Sequence, residues 1–199
     1  MRVVVFAGTI TAKLNKIITL KDSDYVIAVD LAFDYLLDNN IKVDLVVGDF
    51  DSLINKELLK DFKTLKLDPI KDETDTYIAI KEAFKISDEV ILIGGIKGPR
   101  IEHFIANLYL LDKYPSLVII DEDSKISLID KGENIITSKG YISLFAHSNS
   151  RITLKGFKYP LDKYNLSKYD PLCISNELTG SVGLIEIDKG SCFLIETKK

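Results

Sequence analysis

The chain has 199 residues, 46% hydrophobic and 28% charged, with a formal net charge of −4. That length buries a core in one large or two small domains, and the acidic balance argues against a nucleic-acid or anionic-membrane partner, since both select a basic surface. Cys173 and Cys192 form no ligand motif and read as buried thiols of a cytoplasmic protein, while no apolar run approaches the ~20 residues of a membrane span and Met1 to Phe6 is too short for a signal segment.

Through residue 121 a short apolar run repeatedly ends in Gly or Asp and gives way to helical spacing. The runs are Val3 to Ala7 before Gly8, Tyr25 to Val29 before Asp30, Val43 to Val47 before Gly48, Val90 to Ile93 before Gly94, and Leu117 to Ile120 before Asp121. Strands apolar on both faces predict a parallel sheet with helices on both sides, a Rossmann-like α/β/α domain spanning 1–123. Ligands of such a sheet bind beyond the strands' carboxyl ends, where Asp30, Asp49, Asp51 and Gly94 fall. From about residue 124 the pattern changes to short alternating segments: Ile126 to Ile129, Ile135 to Thr137, Tyr141 to Phe145, Arg151 to Leu154, Val182 to Ile187 and Cys192 to Ile195. Asp130-Lys131-Gly132 and Asp188-Lys189-Gly190 read as hairpin turns, and a small antiparallel β-sandwich or open barrel is expected over 124–199.

Three segments could carry chemistry. In Gly48-Asp49-Phe50-Asp51-Ser52, an Asp-x-Asp delivered by a strand points both carboxylates one way. Such hard oxygen ligands suit Mg²⁺, which completes its shell with water and phosphate oxygens; the same residues also serve simply as turn and cap residues. Lys71-Asp72-Glu73-Thr74-Asp75 opens a predicted helix, with Thr74 or Asp72 as its cap, Asp75 as a further metal ligand and Lys71 as a point charge for phosphate. Its acidic residues would equally complement the helix dipole. Gly94 to His103 is a glycine-rich turn entering a helix, a setting in which backbone N–H groups approach an anion. Arg100, His103 and Asn107 share one face of that helix, a phosphate wall or a solvated surface, while Ile101, Ile105, Leu108 and Leu111 mark a more apolar one. Neither G-x-G-x-x-G nor a Walker Gly-Lys-Ser/Thr loop is present, which disfavours dehydrogenases and P-loop kinases.

The order of these motifs, continued through Ala106-Asn107-Leu108 and Ser175-Asn176-Glu177, resembles the thiamine pyrophosphokinase family over nearly the whole chain. The resemblance implies an ATP-binding α/β domain, a thiamine-binding β domain, a homodimer with active sites at the subunit interface, and Mg²⁺-dependent transfer of pyrophosphate from ATP to the thiamine hydroxyl with release of AMP. Asp49, Asp51 and Asp75 match the family's metal positions, Arg100 its phosphate-side arginine, and Ser175 a serine of its thiamine segment, beside Asn176. Asp30, Lys71, Asp72, Lys97, His103 and Asn107 are the further residues expected around ATP. The chain departs from the family pattern at Leu31 and Ala32, where glycines are usual, at Glu102, where aspartate is usual, and in a longer glycine turn with Lys97 at its apex. Without tryptophan, stacking on thiamine falls to Phe157, Tyr159 or Tyr164; His147 receives no role. Two rival readings are a diphosphokinase for another acceptor, such as a hydroxymethylpterin, and a non-catalytic nucleotide or thiamine diphosphate sensor.

Overall fold

The computed structural model describes residues 1–70 and 72–199, and the chain divides into two compact units, Met1–Glu122 and Asp123–Lys199.

In the first unit six parallel strands lie in the order β4-β3-β2-β1-β5-β6. They are β1 (Val3–Ala7), β2 (Tyr25–Val29), β3 (Leu45–Gly48), β4 (Thr64–Lys66), β5 (Val90–Gly94) and β6 (Val118–Ile120). The helices are the short α1 (Leu14–Ile17), then α2 (Ala32–Asp38), α3 (Asp75–Phe84) and α4 (Ile101–Lys113). Val4 and Phe6 of β1 share a cluster with Ala32, Phe33 and Leu36 of α2. Their neighbours Val3 and Val5 are buried as well, and α3, through Ala79, Ile80 and Ala83, packs across β1, β2, β3 and β5. Burial on both faces is why these strands read as unbroken apolar runs rather than alternations. β4 was not expected: its three residues sit at the sheet edge, with Thr64 and Lys66 exposed.

The second unit is built from seven antiparallel strands: β7 (Ser124–Ile129), β8 (Gly132–Ile136), β9 (Tyr141–Ala146), β10 (Ser150–Lys155), β11 (Leu161–Leu166), β12 (Gly183–Lys189) and β13 (Cys192–Thr197). β13 pairs with β7 and β9, whereas β10 pairs with β11 and β12, and β12 with β8. The two sets enclose one core that includes Ile142, Leu144, Ile152, Ile185 and Leu194. This corrects both hairpins: β7 does not pair with β8, nor β12 with β13. Asp130-Lys131-Gly132 and Asp188-Lys189-Gly190 are corners at which the chain leaves one set of strands for the other. Turn chemistry reverses a chain without fixing which neighbour it meets. Cys173 and Cys192 are buried in this core, and burial pushes the Cys173 thiol up to about 11. Among the described residues no helix is long and apolar enough to cross a membrane.

Candidate active site

The first unit's chain winds outward from β1 through β2 and β3 to β4, then returns to the other side of β1 for β5 and β6. The segment after β1 packs Ile10, Leu14 and Ile17 on the α2 face, while α4, which follows β5, lies beside α3 on the opposite one. Diverging connections at such a switch point open a crevice beyond the strand ends. A cleft lies there, lined by Gly8 and Thr9 after β1, Asp30 after β2, Ser52 after β3, Thr74 and Asp75 at the head of α3, the turn Gly95 to Arg100, and His103 and Asn107 on α4.

Two glycines permit this convergence. A Cβ on Gly94, whose φ is +82°, would stand 2.3 Å from the Ala7 carbonyl oxygen, so β1 and β5 end together only because it is absent. A Cβ on Gly48 would stand 1.8 Å from Asp30 Oδ1. The Asp30 carboxylate therefore occupies the space a side chain at the end of β3 would fill, and Asp30 itself holds a left-handed φ of +45°.

β3 stops at Gly48, so strand alternation does not deliver Asp49 and Asp51; a turn does. Its pivot is Phe50, with φ +66° and its ring buried beside Leu53 in the α2-facing core. With Phe50 drawn inward, Asp49 is left half-buried and Asp51 exposed. Asp49 Oδ1 accepts the Asp51 N–H at 3.0 Å, and Lys56 Nζ donates to the Asp51 carbonyl at 2.8 Å. The structure thus brings Asp30, Asp75, Lys97, Arg100, His103 and Asn107 to one cleft, with Asp49 and Asp51 in the adjoining turn rather than in its lining. Among the described residues no three His, Cys, Asp or Glu side chains are grouped to hold a metal. The donors available are nonetheless hard carboxylate oxygens, and Mg²⁺ commonly needs only one or two of them before phosphate and water complete its shell, so the residues fit that ion.

Thr74 caps α3, its Oγ1 accepting the Tyr77 N–H at 3.1 Å, which puts Asp75 in the first turn. Asp72 is exposed and lines a separate shallow groove with Tyr77 and Leu110; Lys71 lies outside the described residues. Arg100 is exposed at the head of α4 without capping it, and His103 is half-buried one turn on. Lys97 is already paired, with Glu122 at 2.9 Å and Asp121 at 3.8 Å. Asn107, 4% exposed, donates from Nδ2 to the Gly95 carbonyl at 3.0 Å, so its amide braces the glycine turn. Ile101 and Ile105, expected on an apolar helix face, are exposed, and Leu111 is the buried member of that set.

In the second unit Ser175 is exposed with φ +57°, its N–H donating to Ser143 Oγ at 2.9 Å. Asn176 is buried and engaged: Oδ1 accepts the Tyr159 and Glu177 N–H groups at 3.1 and 2.9 Å, and Nδ2 donates to the Tyr159 carbonyl at 2.9 Å. This amide holds the Tyr159 backbone, a different task from the substrate contact expected of it. Phe157 is buried in the core, Tyr164 donates to Asp170 Oδ2 at 2.5 Å, and Tyr159 is exposed. His147 Nδ1 lies 3.2 Å from Ser191 Oγ.

Sequence reasoning overlooked Asp34 and Tyr35 on α2. The Tyr35 hydroxyl donates to the Ala12 carbonyl at 2.9 Å, tying down the segment after β1. Asp34 accepts from Ile54 N, Asn55 N and Asn55 Nδ2 at 3.0, 3.2 and 2.7 Å, just beyond the Asp49 to Ser52 turn. The available signal was a lone carboxylate inside Ala32-Phe33-Asp34-Tyr35-Leu36-Leu37, an otherwise apolar and aromatic run.

Two family models match the chain: the thiamin pyrophosphokinase catalytic domain over residues 18–128 and the thiamin pyrophosphokinase vitamin B1 binding domain over 117–192. Thiamine pyrophosphokinase of Bacillus subtilis (strain 168) is 34% identical over 184 residues, 86% of each chain. The solved structure of a thiamin pyrophosphokinase family protein from Enterococcus faecalis superposes with a TM-score of 0.86 at 26% identity, over 100% of both chains. That of the Bacillus subtilis thiamine pyrophosphokinase gives 0.85 at 29% identity, again over 100% of both.

Proposed function

The chain belongs to the thiamin pyrophosphokinase family, and we propose that it transfers pyrophosphate from ATP to the hydroxyl of thiamine, giving thiamine diphosphate and AMP in a Mg²⁺-dependent reaction. In this reading residues 1–123 bind ATP and 124–199 contribute the thiamine-binding β-sandwich. The observation that carries it is the cleft at the sheet's switch point, lined by a glycine turn, a helix head, Arg100 and His103 together with Asp30 and Asp75.

Such a mixed lining suits a triphosphate bound with a cation. Backbone N–H groups of the turn and the Arg100 guanidinium attract phosphate oxygens, while Asp30 and Asp75 would repel them in the cation's absence. Asp75, with Asp49 and Asp51 from the adjoining turn, would hold Mg²⁺. When bound, Mg²⁺ neutralises phosphate charge and orients the triphosphate. The thiamine hydroxyl attacks the β-phosphorus in line with the departing AMP oxygen. Because such a transition state is loose, alignment and charge neutralisation matter more than a strong base, and Arg100 supplies charge at the phosphates. His103 on the next turn of α4 borders the same space, and Ser175 and Asn176 order the segment expected to meet thiamine. The homodimer implied by the family resemblance is part of the proposal, and sedimentation of the full chain tests it.

The decisive experiment measures AMP release from ATP and Mg²⁺ with thiamine, and with a hydroxymethylpterin in parallel. Release is expected with thiamine, and Asp51→Ala should lower it about 100-fold or more while the melting temperature holds. Retention of most activity by Asp51→Ala overturns the metal assignment. Tight nucleotide binding without AMP release from the wild type overturns the transferase reading.

A further inference from the structure

The turn carrying Asp49, Asp51 and Ser52 is pinned at two points. Phe50 and Leu53 are sunk in the core beside Phe33 and Leu36 of α2. Immediately after them the Asp34 carboxylate, from the same helix, takes the two backbone N–H groups of Ile54 and Asn55 and the Asn55 side-chain amide. Asp34 is only 7% exposed, and a carboxylate so removed from water is tolerated when its oxygens are filled by donors. Hydrogen bonds to a charged acceptor are roughly twice as strong as neutral ones. α2 thus holds the far end of the turn, while β3 holds the near end through the ladder to β2.

We propose that Asp34 is a positioning residue for the pyrophosphate transfer, fixing the Asp49 to Ser52 turn at the cleft by clamping the backbone of Ile54 and Asn55. This rests on the function proposed above. Asp34 itself does not line the cleft. Its effect is to settle the ordering of the turn during folding, so that the acidic side chains meet the nucleotide in one geometry. Preorganisation of this kind matters to rate because a displacement near 1 Å can cost on the order of 100-fold.

The test compares wild type, Asp34→Ala, Asp34→Asn and Asn55→Ala as full chains, with two readouts. The first is hydrogen exchange at the Ile54 and Asn55 amides without ligands; the second is AMP release as a function of thiamine and of Mg²⁺. Asp34→Ala should speed exchange at both amides about tenfold or more, lower kcat about tenfold and raise the Mg²⁺ needed for half-maximal rate, with KM for thiamine within about twofold. Asp34→Asn, which keeps one acceptor oxygen, should recover part of each loss. Asn55→Ala removes a single donor from a half-buried position and should give the same pattern at about threefold. If Asp34→Ala does not fold, these two milder variants decide. Faster exchange with kcat and Mg²⁺ dependence unchanged makes Asp34 a structural brace only and overturns the proposal, as does unchanged exchange. A wild-type chain that releases no AMP sinks the function reading instead, and exchange alone then decides whether Asp34 fixes the turn.

Discussion

Gly48 lacks a side chain because Asp30 needs the room. Replacing it with alanine sets a methyl 1.8 Å from Asp30 Oδ1, at a φ of +155° that L residues rarely adopt. Either the carboxylate moves or the end of β3 does. Gly48→Ala should therefore cost about 2 kcal/mol or more through strain, a fall of about 5 °C in melting temperature for a chain of this size. Because the displaced group lines the cleft, nucleotide affinity should drop further than stability alone explains. Calorimetric titration with ATP and Mg²⁺, below the melting range, checks this, and unaltered affinity would show that Asp30 has no part in binding. The polar residues were the least legible in sequence. Asn107 and Asn176 have the composition of ligand contacts, yet both amides are taken up by backbone groups many residues away, which spacing does not encode. Asp34 was overlooked for the same reason: its carboxylate is filled by backbone N–H groups 20 and 21 residues away.

Among the elements, central strands were readable because both their faces are covered. Val3 to Ala7 and Val90 to Gly94 are apolar throughout since α2 and α3 lie on opposite sides. β4 and β11 escaped notice at sheet edges. There Thr64 and Lys66, or Asp162, Lys163 and Asn165, face solvent and break the apolar pattern; polar, irregular edges also discourage pairing with other chains. Lys163, with φ +46°, adds a kink to β11. Asn176 illustrates how an irregular element is held: its backbone bridges Ile142 in both directions at 2.8 and 2.9 Å, while its side chain grips Tyr159. Asn176→Ala takes the partner from the Tyr159 and Glu177 N–H groups and from the Tyr159 carbonyl, and should destabilise the chain by about 2 kcal/mol. Urea unfolding checks the magnitude, and a loss under about 0.5 kcal/mol would mean that water replaces the amide without penalty.

For the molecule as a whole, acid sensitivity should come partly from the start of the sheet. The Asp24 carboxylate, 5% exposed, is pushed upward by burial, but hydrogen bonds from Arg2 and the Lys21 N–H together with the Arg2 charge outweigh that and leave it below its ordinary 3.8. A carboxylate depressed in the folded state adds stability that is complete above its unfolded value, and that stability disappears as pH falls through the folded one. Asp24→Asn should therefore lower stability at pH 7 and flatten its decline below about pH 4; denaturant melts at pH 7, 4 and 3 measure both, and parallel curves for the two proteins would refute the linkage.

The tether from Lys97 to Glu122 and Asp121 has an electrostatic corollary. At the apex of the glycine turn the ammonium already has anionic company, so an incoming phosphate recruits it by exchanging places with a carboxylate rather than with water. The cleft's long-range attraction for anions is accordingly weaker than its count of cations implies, and recognition leans on short-range fit once the nucleotide has arrived.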